Sequence, residues 1–449
     1  MNKQISKSKV FLAIISLIIT LFIWQQGLKD SLQRPSVSFD ISQKETEIIE
    51  LALPSIPENL RNIITSNPSN DMRDFLSEVS FNELTERNKL IWIILNKESN
   101  LNSKFFNNFD KQEYKNISTI LRKVYEDKSY VPEKDLLEDL KQDKYLYFIL
   151  ARKFNFETEN MISKRISNVM LFKLITIRLI PLLTIFLGSI FLLKSFWQVF
   201  RKKRIDWKEF QPLDLNLLDM VLLISGGFVV LGEVISPLIS ITLVESFSKN
   251  LPQEISQALK IFFGYLFMAL PPLFIIYKQI KSTYKDFNFK NDYFQFNWRP
   301  ILDSFREGIK GWIMIIPFVL LTSLIMNFFI NNNVGSNPLL EIVLNNNNYL
   351  AFIILFITTT VLAPFFEEII FRGVLLPILS REFGIWIGIL MSSFVFALAH
   401  LSFSELPPLF ILGIGLAFTR LKSGRLFSSI IMHSLWNGLT FLNLYLLRT

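Results

Sequence analysis

Apolar runs of about 18 to 25 residues recur through the second half of the chain, and each matches the length a helix needs to cross the hydrocarbon core of a bilayer. The pattern predicts a first span at 10–27 and further spans at about 175–200, 215–245, 256–278, 311–330, 349–372, 384–402, 407–420 and 426–446, nine in all. Residues 29–168 follow a different rhythm. Charges are frequent there and no run is long enough to span. Segments such as 75–95 and 134–152 place apolar residues at helical spacing, for example Leu136, Leu137, Leu140, Tyr145, Leu146 and Phe148. Pro54, Pro57, Pro68 and Pro132 punctuate them.

The expected fold is therefore an all-α polytopic membrane protein of about nine transmembrane helices, with a small, mostly helical extramembrane domain between the first two. The chain divides into a signal-anchor helix at 1–28, read as uncleaved because no small-x-small site follows it, the extramembrane domain at 29–168, membrane helices two to four with their loops at 169–299, and a C-terminal membrane domain at 300–449. The extramembrane segment has no histidine and no recognisable catalytic constellation, so a packing or docking role is expected of it.

Composition agrees with this picture. Half the residues are apolar, 44 are phenylalanine, and mean hydropathy is +0.35. The absence of cysteine excludes disulfides, Cys-ligated zinc, iron–sulfur clusters and a thiol nucleophile. A net charge of +8 could suggest nucleic acid. However, the basic residues crowd short loops beside the spans, which points to membrane lipids as partners and not to nucleic acid. The cluster Arg201-Lys202-Lys203-Arg204 and residues Lys281, Lys285, Lys290, Arg299, Arg381, Lys422 and Arg425 fall in loops that alternate to one side. Loops 331–348 and 403–406 on the other side carry no Lys or Arg. The positive-inside rule then puts the N-terminus in the cytoplasm and 29–168 outside, with Lys164, Arg165, Lys173 and Arg178 as exceptions beside a long translocated domain.

Candidate chemistry lies at the C-terminal end. The only two histidines, His400 and His433, fall in predicted spans, and a third span carries Glu367, Glu368 and Arg372. Ionisable groups at membrane depth are costly and usually mark a pathway or a reaction centre. Glu368 and Arg372 are spaced i, i+4, so they can pair and lower each other's cost, which reads as structural. Glu367 lies about 100° around the helix and can face another cavity. Relative to a turn at Phe383-Gly384, Glu367 lies 16 residues before and His400 17 after, so both sit roughly 25 Å along antiparallel helices. This match requires one helix to run past Gly373 and Pro377. His433 and Asn437 again share a face at i, i+4. Glu233, inside the third span near Gly232 and Pro237, is expected to be an interhelical hydrogen-bonder in a broken helix.

The series Glu367-Glu368-x-x-x-Arg372, Phe396-x-x-x-His400 and His433-x-x-x-Asn437 resembles the three motifs of the CPBP intramembrane protease family, which includes CAAX prenyl endopeptidases and bacterial Abi-type proteins. The resemblance covers about residues 300–447. It implies that Glu367 and His400 activate a water and that His433 with Asn437 stabilises the oxyanion, with Glu368, Arg372 and Phe396 in support. A desolvated Glu suits a general base, and preorganised donors in a dry site suit an oxyanion. Glu367, His400 and His433 could also ligate zinc, although no His-Glu-x-x-His motif is present. The function implied is an intramembrane endopeptidase acting on a membrane-associated protein or peptide. Two other functions fit the same residues: a catalytically silent membrane scaffold or immunity-type binding protein of this fold, and a proton-coupled transporter. The intact motifs argue against the first, and the lack of an internal hydropathy repeat against the second.

Overall fold

The structure is a computed structural model that describes residues 6–34, 37–64, 67–96, 103–106, 109–127, 130, 143–153, 164–201, 207–208, 213–284, 292–329, 337–346 and 348–448. Every regular element among them is helical. In chain order these are α1 (Lys7–Ser31), α2 (Ser38–Ala52), α3 (Glu58–Ile64), α4 (Pro68–Ser77), α5 (Glu86–Leu95), α6 (Gln112–Glu126), α7 (Lys144–Lys153) and α8 (Lys164–Phe200). They continue with α9 (Leu217–Ser248), α10 (Gln253–Thr283), α11 (Ile301–Phe329), α12 (Pro338–Asn345), α13 (Tyr349–Phe383), α14 (Ile385–Leu398), α15 (Leu406–Ser423) and α16 (Leu426–Leu446). Lys202, Lys203, Arg204, Lys285, Lys290, Pro132, Leu136, Leu137, Leu140 and loop 331–336 lie outside the described residues.

Among the described residues, six helices are long and apolar enough to cross a membrane: Lys7–Ser31, Lys164–Gln198, Leu217–Ser248, Gln253–Thr283, Ile301–Met326 and Tyr349–Phe383. Six of the nine expected spans therefore meet that criterion, and the protein is an integral membrane protein. The seventh expected span, 384–402, is shorter than the sequence suggested. Its helix is Ile385–Leu398, which rises only about 21 Å, and His400 lies just beyond its end. The sixth expected span is longer than expected. It does not end at 372 but runs unbroken to Phe383, with a π-helical stretch at 369–375 that includes Gly373 and ends two residues before Pro377. The segment 75–95 also differs. It forms two helices, α4 and α5, because α5 starts at its own cap, where the Thr85 side chain accepts from the Asn88 N–H.

The chain splits into two compact units, residues 1–38 with 182–445, and residues 39–181 with 446–449. In the first unit, a tight α13–α14 hairpin turns at Gly384, whose φ of 87° is a left-handed conformation that favours glycine. Next, α15 packs on α14 where Gly413 faces Ser393; a Cβ there would lie 2.9 Å from the Ser393 Cβ. The core around these helices includes Phe371, Phe396, Leu412, Leu416 and Met432, each essentially buried. Many of the exposed residues are large and apolar, such as Phe186, Leu193, Phe274 and Leu324. That surface suits lipid rather than water.

The second unit is organised around a buried polar stripe on α2. Gln43, Glu47 and Glu50 are all buried on one face. Arg87 of α5 donates to both Glu47 oxygens at 2.6 and 3.0 Å, and to both Asp143 oxygens at 2.5 and 3.0 Å. Gln43 and Asn88 exchange amide hydrogen bonds of 2.7 and 2.9 Å. Glu50 accepts from the Tyr145 hydroxyl at 2.8 Å and pairs with Arg152 at 2.7 Å. Burial pushes the Asp143 carboxyl up, yet the Arg87 guanidinium overrides it and holds the group below the ordinary carboxylate range.

Arg87→Met strands the buried Glu47 and the half-buried Asp143, so it should destabilise this unit by about 3–5 kcal/mol. Limited proteolysis of the full-length protein, scored for cuts within 39–181, measures the loss. A depressed folded pKa gives stability that is present above the unfolded value of about 3.9 and is lost as pH falls through the folded value. Wild type should therefore show the same cuts only below about pH 4, and Arg87→Met should show them at pH 7.

Candidate active site

Local helix geometry sets the site. Within α13, residues 358–362 and 369–375 are π-helical, and the α-helical turn Ala363–Glu368 lies between them. Such i→i+5 segments often occur at functional positions. Glu367 and Glu368 point into the unit and are buried, and Arg372 is fully buried.

Arg372 donates from Nη1 to the Glu368 Oε1 at 2.9 Å and from Nη2 to the Gly413 carbonyl at 3.1 Å. Its guanidinium lies 4.3 Å from the Phe396 ring centroid, a cation–π contact. The i, i+4 pair expected from the sequence is thus present. It extends further than expected, because the same Glu368 oxygen lies 3.0 Å from Nδ1 of His433. Phe396 stands between the two imidazoles, with ring centroids 4.8 Å from His400 and 5.6 Å from His433.

These contacts fix the tautomers. His400 Nδ1 lies 2.8 Å from the Phe396 carbonyl oxygen, which can only accept, so Nδ1 carries the proton. His433 Nδ1 likewise donates to the Glu368 carboxylate. Both imidazoles therefore turn Nε2 toward Glu367. The separations from the Glu367 Oε2 are 4.0 Å for His400 and 3.8 Å for His433. That Oε2 is buried and makes no hydrogen bond among the described residues. The structure thus brings Glu367 and His400 to one depth, as counting from the Gly384 turn suggested, and adds His433 to them.

Asn437 shares the His433 face, and its Nδ2 donates to the Thr359 carbonyl in the first π-helical segment at 2.9 Å. One of its two amide hydrogens is therefore already committed to an interhelical bond. A cavity of about 360 Å³ joins Glu367, His400, His433 and Asn437. Its wall is largely apolar, with Val319, Leu339, Leu340, Val343, Phe441 and Leu444 among its residues.

The donor set of two imidazoles and a carboxylate suits zinc in kind. Two atoms bound to one tetrahedral zinc at about 2.0–2.1 Å lie about 3.3 Å apart, closer than the spacings here. Among the described residues no group of three or more His, Cys, Asp or Glu side chains is placed to hold a metal ion. At the present spacing the three atoms do not close on one tetrahedral zinc.

Glu233 does not sit in a broken helix. It lies in a continuous α9 whose residues 222–235 are π-helical, its Oε2 is buried, and it makes no hydrogen bond among the described residues. Sequence reasoning missed Tyr265 of α10, which lines the same cavity. A lone tyrosine in an apolar span carries no motif. The carbonyls of Thr359 and Gly413 were equally invisible, since backbone acceptors leave no trace in residue type.

Residues 349–439 match the family model of the type II CAAX prenyl endopeptidase Rce1-like proteins, as the three motifs suggested. Residues 38–172 match a domain of unknown function, DUF8675. An uncharacterized 24.3 kDa protein of Escherichia coli is 32% identical over 78 residues, which is 16% of this chain and 36% of that relative. The chain therefore spans well under half of the relative's length. No solved structure matches. Together these findings describe a helical membrane protein whose residues 349–439 are similar to the Rce1-like family.

Arg372→Met should strand the Glu368 charge in the core and sharply lower the yield of monodisperse protein, since breaking a buried pair costs about 3–5 kcal/mol. Adding Glu368→Gln should recover much of that yield. Size-exclusion profiles of detergent extracts make the comparison. Equal yields in wild type and Arg372→Met would show that the pair carries no structural weight.

Proposed function

We propose that the protein is an intramembrane endopeptidase that hydrolyses a peptide bond of a membrane-associated protein through a water held by Glu367 and the two imidazoles. The observation that carries this reading is the convergence of three polar atoms on one cavity, with His433 Nε2 at 3.8 Å and His400 Nε2 at 4.0 Å from Glu367 Oε2. A water among them donates to Glu367 and presents its oxygen for attack. Glu367 then takes a proton as general base. Attack at the scissile carbonyl forms a tetrahedral oxyanion, and the remaining Nδ2–H of Asn437 can donate to it. The proton held by Glu367 passes to the leaving amine as the C–N bond breaks. Glu368 orients His433, and Arg372 holds Glu368. The apolar cavity wall favours a substrate strand with apolar side chains. The Rce1-like match at 349–439 supports the reaction class.

Glu367→Gln should abolish processing while the protein stays folded in the membrane. Membranes of cells expressing wild type or the variant are compared for new protein N-termini. Those that require the protein should vanish with Glu367→Gln, since losing a general base costs roughly 10²–10⁴ in rate. Their persistence would leave a silent scaffold as the better reading. Metal analysis of the purified protein is a separate check. An active preparation without stoichiometric metal is expected, and activity that tracks bound zinc would move His400 and His433 from orienting the water to ligating.

In the membrane, α14, α15 and α16 are taken to lie within the bilayer beside the six long helices, with 29–168 outside the cytoplasm. An alkaline-phosphatase fusion within 29–168 should be active and one after Ser423 inactive. The reverse pattern at either site would overturn this orientation.

A further inference from the structure

The N–H groups whose direction the contacts fix are largely committed. His433 spends its Nδ1–H on Glu368, His400 spends its own on the Phe396 carbonyl, and Asn437 spends one of two on Thr359. Oxyanion sites work through several donors aimed at the developing charge. Tyr265 offers a further one. It comes from α10, outside the family-matched segment, and lines the cavity with Glu367, His400, His433 and Asn437. Its hydroxyl makes no hydrogen bond among the described residues, so its proton is uncommitted. Tyr265 also lies within electrostatic range of both Glu367 and Glu233.

The packing explains how Tyr265 and Glu233 come to this place. At Gly232 a Cβ would come within 2.9 Å of the Met268 carbonyl oxygen, so α9 and α10 approach closely there. Glu233 is the next residue on α9, and Tyr265 lies one turn before Met268 on α10. Phe228 of the same π-helical segment packs on Phe366 and Phe371, with centroids 6.0 and 5.8 Å apart, which brings α9 against the helix that carries Glu367. A carboxyl with a buried, unpartnered oxygen thus stands behind a cavity-lining hydroxyl.

We propose that the Tyr265 hydroxyl is a second oxyanion donor of the reaction, acting across the cavity from Asn437, and that Glu233 is a positioning residue that orients Tyr265. This rests on the hydrolase reading. No bond is made or broken at Tyr265, which donates a hydrogen bond that strengthens as the carbonyl oxygen gains charge. The contribution therefore appears in the transition state and not in substrate binding.

The test uses the full-length protein in mixed micelles and a synthetic peptide. The peptide spans the bond whose new N-terminus disappears most completely from Glu367→Gln membranes. Tyr265→Phe keeps the ring and removes only the hydroxyl. It should lower kcat by about 10²-fold with KM unchanged within about twofold. Glu233→Gln should lower kcat less, and should add nothing in a Tyr265→Phe background, as expected when one residue acts through the other. Wild-type kcat in Tyr265→Phe, with Glu367→Gln inactive, would overturn the donor role alone. An active Glu367→Gln would overturn the hydrolase reading itself. Effects of Glu233→Gln and Tyr265→Phe that simply multiply would remove Glu233 from the site.

Discussion

One buried chain of charge, Arg372 to Glu368 to His433, holds the C-terminal domain in its shape. A guanidinium with no exposure is tolerable in a membrane domain only when its hydrogen bonds are met close by. Glu368 and the Gly413 carbonyl meet two of them, and the face of Phe396 covers the cation. Each partner belongs to a different stretch of chain, so the chain of charge links α13, α14 and α15, and through His433 it reaches α16. The orientation of the imidazole that faces Glu367 is thus a by-product of satisfying an arginine.

This arrangement divides labour between adjacent carboxylates. Glu368 is tied to two partners through its Oε1, whereas Glu367 has only the longer approaches of the two imidazoles at 3.8 and 4.0 Å. Neighbouring residues on a helix point in directions about 100° apart, so one faces the core and the other the cavity. The same logic recurs in the unit at 39–181, where Arg87 locks two carboxylates together. Similar ingredients thus yield a fastening in one unit and, on our proposal, a reaction centre in the other.

Much of the site was legible because side-chain identity and helical spacing carried it. The i, i+4 pairs, the Gly384 turn and the equal distances of Glu367 and His400 from it all rest on simple periodicity. Periodicity failed where helices depart from 3.6 residues per turn or stop early. It ended the sixth span at 372, although α13 absorbs Gly373 within a π-helical segment, and it carried the seventh span past Leu398 to residue 402. It could not show that His433 belongs with Glu368, since residues 65 apart meet only through packing. It also gave Tyr265 no distinction, because a hydroxyl in an apolar run gains meaning only from what stands across the cavity.

The π-helical stretches also give α13 a slack link. An i→i+5 loop encloses one residue more than an α turn. Loss of one residue from 358–362 can therefore be absorbed by closing that loop into an α turn, with the downstream helix keeping its phase. Loss of one residue between Glu368 and Arg372 falls in the second such stretch, which can restore the phase downstream, yet it destroys the i, i+4 spacing that lets the pair meet. Single deletions in this helix should thus sort by position, tolerated within 358–362 and damaging between Glu368 and Arg372.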